Sequence, residues 1–128
     1  MTMRAKSVEE LLVFQKALDS AHKVSAILKQ DGFRIDTRLR GQLWASSERV
    51  ASLISEGFSQ KTDRHFCQYL YLSRGSSSEV RTQLAVAHGR DHITANDLSA
   101  LSSRYNEIEK MLTGLIKYLN REDRRQRG

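Results

Sequence analysis

"LSRGSSSEVRTQL", residues 72–84, decides how this chain folds. One Gly and three consecutive Ser sit between apolar flanks, and by composition alone the stretch is a flexible linker. Its phase says otherwise. From Phe66, steps of four and three land on Leu70, Ser73, Ser77, Val80, Leu84 and Ala87, crossing the Gly-Ser run without a slip. A linker has no reason to keep that register, whereas a helix must. Gly75 costs such a helix about 1 kcal/mol relative to Ala, which is tolerable where small residues let another backbone come close. The stretch is therefore expected inside a helix, with Gly75 and Ser76 where a second helix or a second subunit comes nearest. A bulky residue at Gly75 is expected to damage packing or assembly.

The same steps organise the rest. Leu11, Phe14, Leu18, Ala21, Ser25 and Leu28 predict an amphipathic helix over about 7–30. Ser7 and Glu10 stand at capping-box spacing at its start, and Gly32 is available for a left-handed cap at its end. The second helix, about 36–58, carries Leu39, Leu43, Ser46 or Ser47, Val50, Ile54 and Gly57. The third, about 62–88, has Thr62 as N-cap and Gly89 as C-cap candidate. Thr94 and Asp97 open the fourth, about 95–121, whose seam is Leu98, Leu101, Tyr105, Ile108, Leu112, Leu115 and Leu119. The basic tail 121–128 is expected to fray. No segment alternates with the period of a strand. Four helices of roughly 20 to 28 residues, about 30 to 40 Å long, joined by short turns predict an all-α, antiparallel up-down-up-down four-helix bundle in one domain.

Composition agrees. The 128 residues contain no Pro, which suits long helices with few connections. No apolar run reaches the ~18 residues of a membrane span, and the N-terminus lacks the apolar core of a secretory signal. The single Cys67 cannot close an internal disulfide and reads as a thiol in a reducing cytoplasm. The net charge of +6 permits contact with polyanions without demonstrating it.

Several stretches together resemble a known family: "VFQKA" (13–17), "GQL" (41–43), "ISEGF" (54–58), "FCQYLYLSRGSSSEVRTQL" (66–84) and "MLTGLIKYL" (111–119). In order and spacing they are similar to the four-helix-bundle proteins of intervening sequences in bacterial large-subunit ribosomal RNA genes, some of which carry a ribosomal-protein label. The chain departs from that pattern where Trp44 and Ala45 replace a basic pair, Ala51 a frequent Pro, and Leu53 a frequent Asn. The resemblance implies a ring-like homopentamer. Through the similar basic bundles that accompany diversity-generating retroelements, it also implies association with RNA or DNA, or with a nucleic-acid enzyme such as a reverse transcriptase. It does not point to enzymatic activity, and no cofactor or membrane contact is expected of the chain.

Basic residues cluster. If helices two and four run the same way, Lys61 and Arg64 share one end of the bundle with Lys117, Arg121, Arg124, Arg125 and Arg127, while Arg74 and Arg81 lie on one face of helix three. Such a surface suits phosphates; the plain structural reading is solvated helix ends. Arg34, Arg38 and Arg40 lie near the start of helix two. No aromatics interleave with these cations, so base stacking is not predicted. Trp44, Tyr71 and Leu72 leave apolar surface outside one core and point to a subunit interface. Glu56-Gly57-Phe58 reads as a helix stop, with Gly57 as the cap and Phe58 packing back; the alternative is a buried polar bond from Glu56 to a neighbouring helix or subunit. Glu79 is expected to pair with an Arg across a subunit boundary. Glu56 and Glu79 lack the Glu-x-x-His spacing of a di-metal bundle, and no residues stand at metal-ligand or nucleophile-base spacing elsewhere.

Overall fold

In the computed structural model, which describes residues 5–127, the chain is all-α. A single 3-10 turn, Val8–Glu10, precedes five helices: α1 (Leu12–Ile27), α2 (Gly32–Ile35), α3 (Thr37–Phe58), α4 (Asp63–Gly89) and α5 (Ala95–Arg127). Among the described residues there is no strand. α1 packs on α3 and α5, and α4 packs on α3 and α5, so the four long helices enclose one core. α2 is a single turn whose buried Phe33 plugs one end of it.

The opening stretch lies within α4. Phe66, Leu70, Ser73, Ser77, Val80, Leu84 and Ala87 are all buried. The two serines of this stripe, Ser73 and Ser77, are tolerated because their hydroxyls are satisfied. Ser73 Oγ donates to the Val50 carbonyl at 2.7 Å, and Ser77 Oγ lies 3.1 Å from the Tyr105 carbonyl and 3.0 Å from Glu109 Oε2. The α3 stripe is buried as expected from Leu39 to Gly57. Tyr105, Leu43, Ile54, Leu70, Leu84, Ile108 and Leu112 are among the largest fully buried side chains, and sequestering each apolar one stabilises the fold by roughly 1.5–3 kcal/mol.

Five expectations need correction. First, α1 turns a different stripe inward: Val13, Ala17, Ser20, Val24 and Leu28 are buried, while Phe14, Ala21 and Ser25 are half-buried and Leu18 is exposed. The small side chains let α1 sit close, and the large ones are left outside. Second, the capping box does not form. Leu11 is extended, so the helix starts after it, and Glu10 accepts from the Lys6 backbone N–H at 2.6 Å instead of from Ser7. Third, neither Gly32 nor Gly89 adopts the left-handed conformation; Asp91 does, with φ 62°. The His92 N–H reaches the Ala87 carbonyl and the Asp91 N–H the His88 carbonyl, both at 2.9 Å. That is a Schellman closure with Asp in the position that usually holds Gly. Gly32 serves a close approach: a Cβ there would lie 2.5 Å from His92 Nδ1 and 3.0 Å from its Cα.

Fourth, α5 does not end near residue 121. It runs 33 residues, about 50 Å, supported by Arg125–Glu122 and Arg127–Asp123 pairs one turn apart. Gly128 lies outside the described residues. Fifth, no neighbouring helix approaches Gly75: a Cβ built on it meets nothing within 4 Å.

Candidate functional site

The turn between α3 and α4 sets the basic end. Thr62 Oγ1 accepts from the His65 N–H at 3.2 Å and caps α4. Cys67 Sγ lies 3.5 Å from Asn120 Oδ1, and Thr62, Asp63, Tyr118 and Leu119 line one pocket, so this turn abuts the C-terminal part of α5. Lys61 and Arg64 therefore share an end with the last turns of α5. Lys61, Arg64, Lys117 and Arg121 are exposed and make no ion pair among the described residues. Arg124 Nε bonds the Asn120 carbonyl at 3.4 Å. Arg125 and Arg127 pair with Glu122 and Asp123 at 3.2 and 3.5 Å. Ion pairs one helix turn apart are worth only about 0.3–0.5 kcal/mol. Burial, and secondarily Asp123, pushes the Cys67 thiol up.

Arg74 and Arg81 lie elsewhere, on the flank of α4 that faces α5. Arg74 Nη1 donates to Thr113 Oγ1 at 3.0 Å, and its guanidinium stands 4.9 Å above the Tyr71 ring. Arg81 is held in a fork: Nε to Glu109 Oε2 at 2.6 Å and Nη2 to Oε1 at 2.7 Å. The carboxylate raises the Arg81 pKa further and cancels its charge.

The residues expected at packing or subunit surfaces divide. Gly57 is a contact glycine, not a stop: it is buried within α3, and a Cβ there would meet Tyr69 Cβ at 2.7 Å. Phe58 is half-buried and stacks edge-on against Phe66, with centroids 5.9 Å apart. Glu79 meets its own chain: Arg49 Nη2 reaches its carboxylate at 2.7 Å and Ser46 Oγ at 3.0 Å. Ser76 is buried, whereas Gly75, Tyr71 and Leu72 form an exposed face of α4. Trp44 is 57% exposed. With Phe14, Leu18, Ala21 and Ala51 it lines an open, mainly apolar groove of about 480 Å³ between α1 and α3, rimmed by Glu48 and Glu56. This groove is what the misphased α1 stripe became.

One cluster gave no local sequence signal. The Asp36 carboxylate caps α3 by accepting from the Leu39 N–H at 3.4 Å, and also accepts from Arg90 Nη1 at 2.9 Å and lies 2.8 Å from His92 Nε2. These partners, His92 foremost, hold the carboxyl below its ordinary range. Phe33 packs on the His92 ring, with centroids 5.2 Å apart. Among the described residues, no group of three or more His, Cys, Asp or Glu gathers in a way that could hold a metal ion, and no helix is long and apolar enough to cross a membrane.

The fold is thus four long helices around one core, with cations gathered at one end of it. The chain belongs to the family of 23S rRNA-intervening sequence proteins, whose model matches residues 9–114. It is similar to the crystal structure, at 1.70 Å resolution, of a protein of unknown function from the S23 ribosomal protein family of Bacteroides thetaiotaomicron. The TM-score is 0.75 at 19% identity, covering 83% of this chain and 99% of that one, which shows a shared fold. No curated protein matches the chain.

Proposed function

We propose that this protein is a non-catalytic, self-associating scaffold or accessory protein that grips the phosphate backbone of RNA or DNA with its basic end. One observation carries the reading: Lys61, Arg64, Lys117 and Arg121 gather at one end, each without an ion pair among the described residues. Recognition there is of the backbone, since those cations are not interleaved with aromatic side chains. The long helices act as an antiparallel up-down-up-down bundle. In support, Ser46 and Val50 contact Glu79 and Ser73 in reverse order, as do Cys67 and Ser77 with Asn120 and Glu109. Such a bundle leaves its sides free for further copies, or for an enzyme that acts on the same nucleic acid, a reverse transcriptase among them.

The test is a salt titration of binding to single-stranded RNA and DNA. Four phosphate contacts predict a log–log slope of about −3, reduced by about 1.4 in Lys61→Glu/Arg121→Glu. A slope near zero, or no binding at low salt, refutes the nucleic-acid role.

A second reading, a protein-interaction module with no nucleic-acid role, is favoured by the groove between α1 and α3. We assign that groove to a second copy of this chain. Its rim is acidic, with Glu48 and Glu56, and the exposed α4 face with Tyr71 and Leu72 carries Arg64. Oligomers that persist in protein failing the salt test would leave this reading standing alone.

A further inference from the structure

At the opposite end from Lys61 and Arg121, the outer side of the α3–α4 pair carries a notch of about 300 Å³. Arg38, Leu39 and Gln42 from the start of α3 line it, with Gln83, Val86 and Arg90 from the end of α4. We propose that this notch is a binding site for a phosphate group. The inference goes beyond the basic end and does not depend on it: α3 alone separates the two by about 33 Å.

The lining chemistry selects the ligand. Two guanidinium groups and two primary amides face one small space, and no carboxylate is among the lining residues. Arg38 is exposed and makes no ion pair among the described residues. Arg90 is anchored through Nη1 to Asp36 at 2.9 Å, which fixes the guanidinium and leaves its Nε and Nη2 without a bond among the described residues. A positioned guanidinium edge is suited to two phosphate oxygens. Gln83 supplies the third indication. Its Oε1 is shut off from solvent and has no hydrogen-bond partner among the described residues. The other end of the amide, Nε2, is not shut off in this way and is a donor. A phosphate oxygen in the notch would accept from Nε2. The polar lining disfavours an apolar ligand, and the unpaired Arg38 guanidinium disfavours a cation.

Phosphate reaches such a notch either as the free ion or within a nucleic-acid backbone. The experiment follows the side-chain amide resonances of Gln42 and Gln83 in the full-length chain, in two titrations. One uses inorganic phosphate, the other a short single-stranded RNA. Phosphate is expected to shift both signals saturably, and Arg38→Gln to weaken that binding about tenfold, the loss of one charge-assisted hydrogen bond. If RNA shifts the same signals and competes with phosphate, the ligand is a phosphodiester. If phosphate alone shifts them, the ligand is the free ion. Gln42→Ala, on the exposed side of α3, gives a second variant that leaves the core untouched and is also expected to weaken binding. The proposal is overturned if neither titrant moves these resonances, or if both variants bind phosphate as tightly as the parent.

Discussion

A Cβ built on Gly57 would stand 2.7 Å from Tyr69 Cβ and 2.9 Å from Phe66 Cδ1, distances that real side chains do not tolerate. The same atom on Gly75 would meet open space. Two helical glycines thus carry opposite predictions. Gly57→Ala must push α3 from α4 and is expected to lower stability by about 1–3 kcal/mol. Gly75→Ala relieves only backbone entropy and should raise stability by about 0.8–1.0 kcal/mol. Urea unfolding midpoints of the two variants decide this; a destabilising Gly75→Ala would mean that a second subunit covers the position. Asp36 contributes to the response to acid. Its folded pKa lies below the unfolded value, so its contribution is fully present above about pH 3.9 and is lost as the pH falls through the folded pKa. Thermal midpoints of the parent should therefore fall below about pH 4 more steeply than those of Asp36→Asn, whose side chain does not titrate. Parallel curves would show that His92 and Arg90 do not stabilise the ionised carboxylate.

Between elements, the α4–α5 contact is fixed by a polar clasp set into an apolar seam. Glu109 of α5 is only 16% exposed, receives the Arg81 fork and shares the Ser77 hydroxyl with the Tyr105 carbonyl. Removing Arg81 leaves a nearly buried carboxylate with a single hydroxyl donor, so Arg81→Ala is expected to cost about 1–3 kcal/mol. Arg81→Met combined with Glu109→Leu should recover most of that loss, because breaking such a pair is worse than replacing it. A double-mutant cycle on chemical unfolding measures the difference, and simple additivity of the two losses would refute the clasp. How far each helix could be read from sequence follows the same physics. In α4 the core stripe is the one phase that places Phe66, Leu70, Val80 and Leu84 on a line, and all are buried. In α1 two neighbouring stripes are apolar. Size decided between them: Val13, Ala17 and Val24 went in, and Phe14 and Leu18 stayed at the groove. Hydropathy alone does not register that choice, because it depends on the spacing to α3 and α5. Lys61 was placed near Arg121 by the expected order of the helices, and the α3–α4 turn does abut the C-terminal part of α5. The Asp36–Arg90 and Asp36–His92 contacts span 54 and 56 residues and follow no local period, so nothing in the sequence announced them.

Across the whole molecule, the two exposed apolar faces differ: a groove holding Leu18 and Trp44 between α1 and α3, and a ridge with Tyr71 and Leu72 on α4. If they meet each other, the contact is heterologous, and repeating it either closes a ring or runs on as a fibre. If each meets its own kind, the contact is isologous and stops at a pair. Light scattering on charge-bearing variants separates the cases. The parent is expected to scatter as a closed multiple of the 14.6 kDa chain. Trp44→Glu, which spoils the groove, and Leu72→Glu, which spoils the ridge, should each scatter as monomers. An equimolar mixture of the two is the informative sample. The Trp44→Glu chain keeps an intact ridge and the Leu72→Glu chain an intact groove, so one productive contact remains between unlike chains and none beyond it. The mixture should form heterodimers and nothing larger. An isologous contact through either face predicts otherwise: the variant with that face intact would dimerise alone, and mixing would add nothing. A parent that is monomeric at every concentration would remove self-association altogether and leave the groove without its assigned occupant.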